Sequence, residues 1–466
     1  MYKANKISEY IFEIPKSGKM NVPVKVYSSD KLIDGVLKDD TIKQAKNVAS
    51  LPGLYKKVVL CPDSHMGYGM PIGGVAAFDL KKGVIAPGMV GFDINCGVRI
   101  LSTNISEKEF MVKREEVLHD LKRTIPSGVG RGGERQSIET IKEVLIKGSE
   151  WALEKGFATE DDLKRTEENG RMQGANPEDV SQKAIGRGLS HLGTLGAGNH
   201  FIDIQVVDEI FDEKVAEVFG LKKGNTCIMI HCGSRGLGHQ VATDYLKLFE
   251  EKLGTKGLAD KELVNAPINS ELGKKYFSAM KCAVNFAFCN RQMIMHHARE
   301  LLKRYFPKAK TNLIYDIAHN ISKIEKYDGK ELLIVRKGAT RSLGVGRKEI
   351  PIIYRKMGQP VLIPGSMSTA SYILVGTKEA EKRSFGSSAH GAGRAHSRAW
   401  SHQELNMNQL KKILAKKDIL LEGSAKATIE ESELSYKDVE EVIEVTEKAG
   451  LGKKVAKLKP IAVMIG

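Results

Sequence analysis

The sequence is short of the devices that staple small or exported chains. Its six cysteines (Cys61, Cys96, Cys227, Cys232, Cys282 and Cys289) are spread thinly over 466 residues, with no CxxC pair. That excludes a compact disulfide framework and fits a reducing, cytoplasmic setting. No apolar run approaches the roughly 18 residues that a membrane helix needs. The opening MYKANKISEY has neither the apolar stretch nor the cleavage site of a signal peptide. The expectation is a soluble cytoplasmic protein. Internal repeats, low-complexity tracts and Pro/Ser linkers are also missing, so residues 1–466 read as one unit with no domain boundary. The charged stretch Asp161–Asp179 is the one candidate for an excursion.

What is present is an ordinary globular balance, 41% hydrophobic and 28% charged, enough for a sizeable core. The net charge of +15 favours a polyanionic partner, because each basic group that meets a phosphate releases a condensed counterion. Lysines scattered over a soluble surface are the plain alternative. The 46 glycines gather around polar residues: Gly67 to Gly74, Gly128 to Gly133, Gly186 to Gly198, Gly233 to Gly238 and Gly386 to Gly393. Loops that let backbone approach a ligand look like this.

Short apolar runs predict strands at Lys57–Cys61, Val98–Ser102, Phe201–Val206, Thr226–His231, Leu332–Arg336 and Val361–Ile363. Longer charged stretches predict helices at Glu107–Thr124, Ile138–Lys155, Gln240–Leu253, Leu272–Arg304 and Ser435–Ala449. The two kinds alternate irregularly, and several strand pairs lack a long crossover. The expectation is an α+β fold of mixed β-sheets with surrounding helices.

Five residues stand out as candidate metal ligands: Asp93 and Cys96 in GFDINCG, His200 in GAGNH, His231 in CIMIH and His319 in DIAHN. Singly, each has a plainer explanation as a turn cap, a small buried hydrophobe or a hydrogen-bonded core histidine. Together they share one feature, since each abuts a Gly- or Asn-containing loop where side chains can converge. A mixed Asp/Cys/His set suits Mn²⁺, Co²⁺ or Zn²⁺ better than Mg²⁺. A shared thiolate can bridge two ions that clamp a phosphoryl transfer. His390, in SSAHGAGR, has small neighbours and a neutral imidazole near physiological pH, as a nucleotidyl acceptor needs. The hydroxyl-rich turn Pro364–Ser371 is not a Walker A motif, yet it can hold a phosphate or a base edge. Arg187, Arg235, Lys337, Arg341 and Arg394 are candidate phosphate or RNA contacts, with ordinary basic turns as the alternative.

Over essentially its whole length the sequence resembles the RtcB family of RNA-splicing and repair ligases. The resemblance is carried by CPDSHMGYGMPIGGV from Cys61, GFDINCGVR from Gly91, IPSGVG from Ile125, LGTLGAGNHF from Leu192, HCGSRG from His231, AHN from Ala318, RKGATR from Arg336, PGSM from Pro364 and SAHGAGR from Ser388. It implies a single catalytic unit with two Mn²⁺ ions and GTP. Cys96 would bridge the ions, Asp93 and His200 would bind one, and His231 and His319 the other. His390 would carry GMP. Asn199, His200, Phe201, Ile202, Asp203, His319, Asn320, Pro364, Gly365, Ser366, Met367, Ser371 and the loop His390, Gly391, Ala392, Gly393 would contact GTP. The implied reaction joins RNA 3′-phosphate or 2′,3′-cyclic phosphate ends to 5′-hydroxyl ends in tRNA splicing or RNA repair, with archease as the usual activator. Asp203, Val335 and Ile465 depart from the family pattern of Glu, His and Lys at those places. An RNA 3′-phosphate capping enzyme, a metallohydrolase and a non-catalytic RNA-binding paralogue are the alternatives.

Overall fold

A computed structural model describes residues 2–466 except 129 and 131, so part of the Gly128–Gly133 loop lies outside the described residues. The architecture is α+β, built on two large mixed sheets. The first has seven strands in the order Asn5–Ser8, Ile11–Ile14, Val24–Tyr27, Leu54–Tyr68, Met70–Asp79, Lys330–Lys337, Asn320–Tyr327. The second runs Thr311–Ala318, Gly97–Ser106, Asn225–Cys232, Phe201–Ile210, Lys453–Ile465, Ser371–Val375, Pro360–Ile363, and Leu420–Glu422 joins it in parallel at Lys453–Ile465. This second, central sheet reads as near-continuous apolar runs because both of its faces are covered.

All six strands expected from the apolar runs are present, mostly longer than expected. The long helix Glu271–Tyr305 is buried at most positions from Tyr276 to Leu302. Two expected helices are broken. The Glu107–Thr124 stretch is two helices, Glu107–Met111 and Arg114–Thr124. The Ile138–Lys155 stretch breaks at Gly148, whose φ of +56° is the left-handed backbone a helix cannot continue through.

The segment 161–179 is no excursion. Asp162 pairs with Arg299 at 2.7 Å, Thr166 bridges to Asp316, and the buried Glu167 carboxylate accepts from Ala318 N at 2.7 Å. Asp162 and Glu167, at least, meet partners in the interior. All six cysteines are free and buried. Among the described residues, no helix is long and apolar enough to cross a membrane.

Candidate active site

Antiparallel register brings the candidate ligands together. Gly97 pairs with both Cys232 and Ala318, and Phe201 pairs with His231. Cys96, His200, His231 and His319 therefore meet at one end of the central sheet, each at or just beyond a strand terminus. Asp93 reaches them through a turn closed by Cys96 N donating to Asp93 O at 3.0 Å. Gly233 makes room, since a Cβ there would lie 2.3 Å from Asp93 Oδ1.

The donor atoms fall into two sets that share one sulfur, Cys96–His231–His319 and Asp93–Cys96–His200, each within 4.8 Å. Cys96 Sγ lies 3.2 Å from His231 Nε2 and 3.5 Å from His200 Nε2. His231 Nε2 and His319 Nε2 are 3.3 Å apart. His200 Nδ1 sits 3.0 Å from Leu195 O, and Nε2 sits 2.8 Å from Asp93 Oδ2. With Nδ1 turned to a carbonyl, Nε2 faces the Asp93 carboxylate, a contact satisfied by a proton on the ring or by a cation between the two groups. Burial pushes the Cys96 thiol up to about 12, and burial also holds His231 and His319 well below the ordinary histidine range. Cys96, His231 and His319 are thus neutral groups facing one another out of water, with the Asp93–His200 pair beside them. The residues present therefore fit a pair of divalent cations of borderline softness.

His390 follows the short strand Ser387–Ala389, which pairs with Ala339–Arg341. Its ring centroid lies 4.8 Å from that of His319. Asp63 is fully buried, and its Oδ2 accepts from His390 N at 2.9 Å and Gly391 N at 3.3 Å while lying 2.5 Å from His390 Nδ1. That bond places the proton on Nδ1 and leaves Nε2 with its lone pair free. Gly393, at φ +72°, permits the approach, because a Cβ there would lie 2.1 Å from Asp63 O. Lys437 braces the Asp63 segment by donating to Ser64 O, and burial lowers its ammonium to about 8. Sequence reasoning assigned no role to Asp63, His65 or Lys437, although Asp63 and His65 lie in the CPDSHMGYG stretch. A Pro-Asp-Ser-His run beside so many glycines was the available signal.

A cavity of about 400 Å³ opens over both centres, within the range of small-molecule sites. Asn199, Phe201, Asp203, Asn320 and Lys337 line it, as do Pro364–Met367, His390–Gly393, Arg394 and Ile465. Asp203 is buried with its Oδ1 unpartnered, and burial raises its carboxyl well above the usual range. Such a group has one oxygen open to a polar partner on a ligand. Ile465, 3% exposed, packs with Met367 in one apolar cluster.

Other expected contacts lie elsewhere. Ile202 turns its side chain into the core, since strand alternation opposes it to Phe201 and Asp203. Ser371 Oγ accepts from Gly365 N at 3.1 Å, so it shapes the loop from beneath. Arg341 is no phosphate clamp of this cavity: its buried guanidinium pairs with Glu167 and Glu168. Arg235 lies over Gly196 with Nε donating to Thr194 Oγ1 at 3.3 Å, and Arg187 is exposed on the short helix Gln182–Gly188. Neither lines the cavity.

Comparison with known proteins agrees with this arrangement. The family model described as tRNA-splicing ligase RtcB matches residues 44–466. A tRNA-splicing ligase RtcB of Thermococcus kodakarensis is 46% identical over 100% of this chain and 99% of its own. That of Archaeoglobus fulgidus is 47% identical over 99% and 98%. RNA-splicing ligase RtcB homolog 1 of Entamoeba histolytica is 45% identical over 91% and 83%. With matches spanning both sheets, the shared-sulfur cluster and the histidine loop, this chain belongs to the tRNA-splicing ligase RtcB family.

Proposed function

We propose that the protein is an RNA ligase of tRNA splicing or RNA repair that joins 3′-phosphate or 2′,3′-cyclic phosphate ends to 5′-hydroxyl ends through a guanylylated His390. The observation that carries this reading is the Asp63–His390 hydrogen bond, set beside two ligand groups that share Cys96. A hydrolase would need the metal ligands but no histidine held as a nucleophile, and a binding module would need neither.

The chemistry follows from the residues. His390 Nε2 attacks the α-phosphorus of GTP, an N–P bond forms and pyrophosphate leaves. Asp63 keeps the Nδ1 proton in place and stabilises the ring as it gains positive charge. An oxygen of the RNA 3′-phosphate then attacks the same phosphorus and returns the electron pair to Nε2. The 5′-hydroxyl finally attacks the activated 3′-phosphate, forming the phosphodiester and releasing GMP. A 2′,3′-cyclic end is first opened by water to the 3′-phosphate. Asp93, Cys96, His200, His231 and His319 would hold two divalent ions, Mn²⁺ on this reading, which supply positive charge to the phosphoryl oxygens.

The Pro364–Met367 turn, Asn199, Asn320 and the His390–Gly393 loop would surround the nucleotide. Asp203, buried and unpartnered at Oδ1, would accept from the base. Residues as far apart as 63 and 390 contribute, so the chain works as one catalytic unit on this reading. Archease as an activator rests on the family resemblance.

The test is incubation with Mn²⁺ and α-labelled GTP beside a His390→Ala control. Label on the wild type alone is the expected result, followed by sealing when 3′-phosphate and 5′-hydroxyl RNAs are added. No label with GTP or ATP under any divalent metal would overturn the nucleotidyl-histidine step.

A further inference from the structure

Just past the nucleophile, the sequence Arg394-Ala-His-Ser-Arg-Ala-Trp400 places two aromatic rings among cations. The His396 imidazole and the Trp400 indole lie face to face, with centroids 3.9 Å apart and planes 17° from parallel. His396 is exposed and Trp400 only partly covered. Aromatic rings bury large apolar areas when they serve the core. Here a flat two-ring stack is instead kept at the surface.

Hydrogen bonds anchor the segment that carries it. Ser397 Oγ caps the helix Arg398–Glu404 by accepting from Trp400 N at 3.1 Å. His396 N donates to Ser435 O at 3.2 Å. The buried Ser401 hydroxyl lies 2.7 Å from Ser435 Oγ and accepts from Arg394 Nη2 at 3.2 Å.

The stack adjoins the active cavity through its neighbours. Arg394 and Arg398, interleaved with the two aromatics, line the cavity. The Arg398 side chain is 52% exposed and paired with Glu430 at 3.0 Å. It also approaches the loop before His200, since a Cβ on Gly198 would lie 3.8 Å from its Nη2. A guanidinium at the mouth and a rigid ring pair beside it match two features of an unpaired RNA strand. Its bases offer π-faces to aromatic side chains, and its phosphates attract arginine. A base inside a duplex has its faces covered by its neighbours.

We propose that His396 and Trp400 form a stacking platform for an unpaired base near the RNA end being joined, with Arg398 meeting an adjacent phosphate. The proposal rests on the RNA-ligase reading and deepens it, because it assigns a preference for single-stranded ends to particular side chains.

The chain has two tryptophans. Trp151 is buried at 4% exposure, so a fluorescence change on adding RNA reports Trp400. A short single-stranded 3′-phosphate RNA and a blunt duplex with the same phosphate are titrated into the wild type and W400F. Ligation kinetics are measured on W400A, W400F and H396A, with GTP labelling of His390 read in parallel as the check that each variant is folded. The single strand is expected to change the wild-type emission more than the duplex does, and W400F to lose that change. W400A should raise the KM for RNA about tenfold with little change in kcat, as loss of one stacked base predicts, and W400F should restore most of it. An RNA that is joined yet leaves the emission unchanged overturns the platform, as does a W400A KM within about twofold of wild type when about tenfold is expected. A wild type that neither labels nor joins RNA sinks the ligase reading itself.

Discussion

One oxygen, Asp63 Oδ2, gathers the His390 ring and two backbone N–H groups, which makes it the control point of the nucleophile. An amide in its place keeps the shape but offers the ring a different donor–acceptor pattern. Asp63→Asn should slow guanylylation by roughly 10²- to 10⁴-fold, as loss of tautomer control does in other histidine-centred sites. The rate of label incorporation measures it, and a rate within about tenfold of wild type would place tautomer control elsewhere. Lys337 gives a pH signature. Burial lowers its ammonium from 10.5 to about 7, while its Nζ donates to Gly88 O at 3.0 Å. Between those values the unfolded chain binds a proton there that the folded chain does not. Lys337 therefore contributes a rise in stability from about pH 7 to pH 10.5. Lys337→Met should flatten that rise in chemical-denaturation curves, and an unchanged slope would contradict it. The five clustered residues and His390 were legible in the sequence as candidates because Cys, His and Asp beside glycine loops are chemically conspicuous. Asp63 was not, because its role depends on Gly393 letting a distant loop close over it.

Elements were legible where a local pattern decides them and illegible where a distant contact does. The apolar runs marked the strands, and the longer charged stretches, Leu272–Arg304 among them, marked the helices. The break at Gly148 is set by the chain beside it, since a Cβ there would lie 2.2 Å from Gly170 O. The helix Glu271–Tyr305 does more than fill the core. Its Asn290 donates to Thr194 O and Gly233 O, and its Arg291 donates to Asn95 O and Cys232 O, both beside the ligand loops. Arg291 and Arg99 share Asp316, and all three side chains are 0% exposed. Asp316→Ala would leave two guanidiniums buried without their carboxylate. It should cost about 3–5 kcal/mol of stability, read from the denaturant midpoint. A loss below about 1 kcal/mol would mean that the pair contributes little beyond what surrounding carbonyls provide.

At the scale of the molecule, the net charge of +15 is the feature the sequence displayed most plainly, and it predicts how substrate is held. Binding of RNA should weaken at least ~10-fold between 50 and 200 mM salt, as it does when several phosphates are neutralised. A flat response would mean that recognition is carried by the cavity and the aromatic stack alone. What no local pattern could reveal is that one end of one sheet would collect residues 93, 96, 200, 231 and 319. That convergence has a consequence during synthesis. The five candidate ligands emerge from the ribosome well before His390, and Lys453–Ile465, which pairs with the Phe201–Ile210 strand behind His200, emerges later still. A chain interrupted after residue 319 would possess all five candidate ligands but neither His390 nor the strands that complete both sheets. The cluster and the loop that faces it thus belong to different stages of the chain's synthesis, and neither can be organised until the later strands pair with the earlier ones.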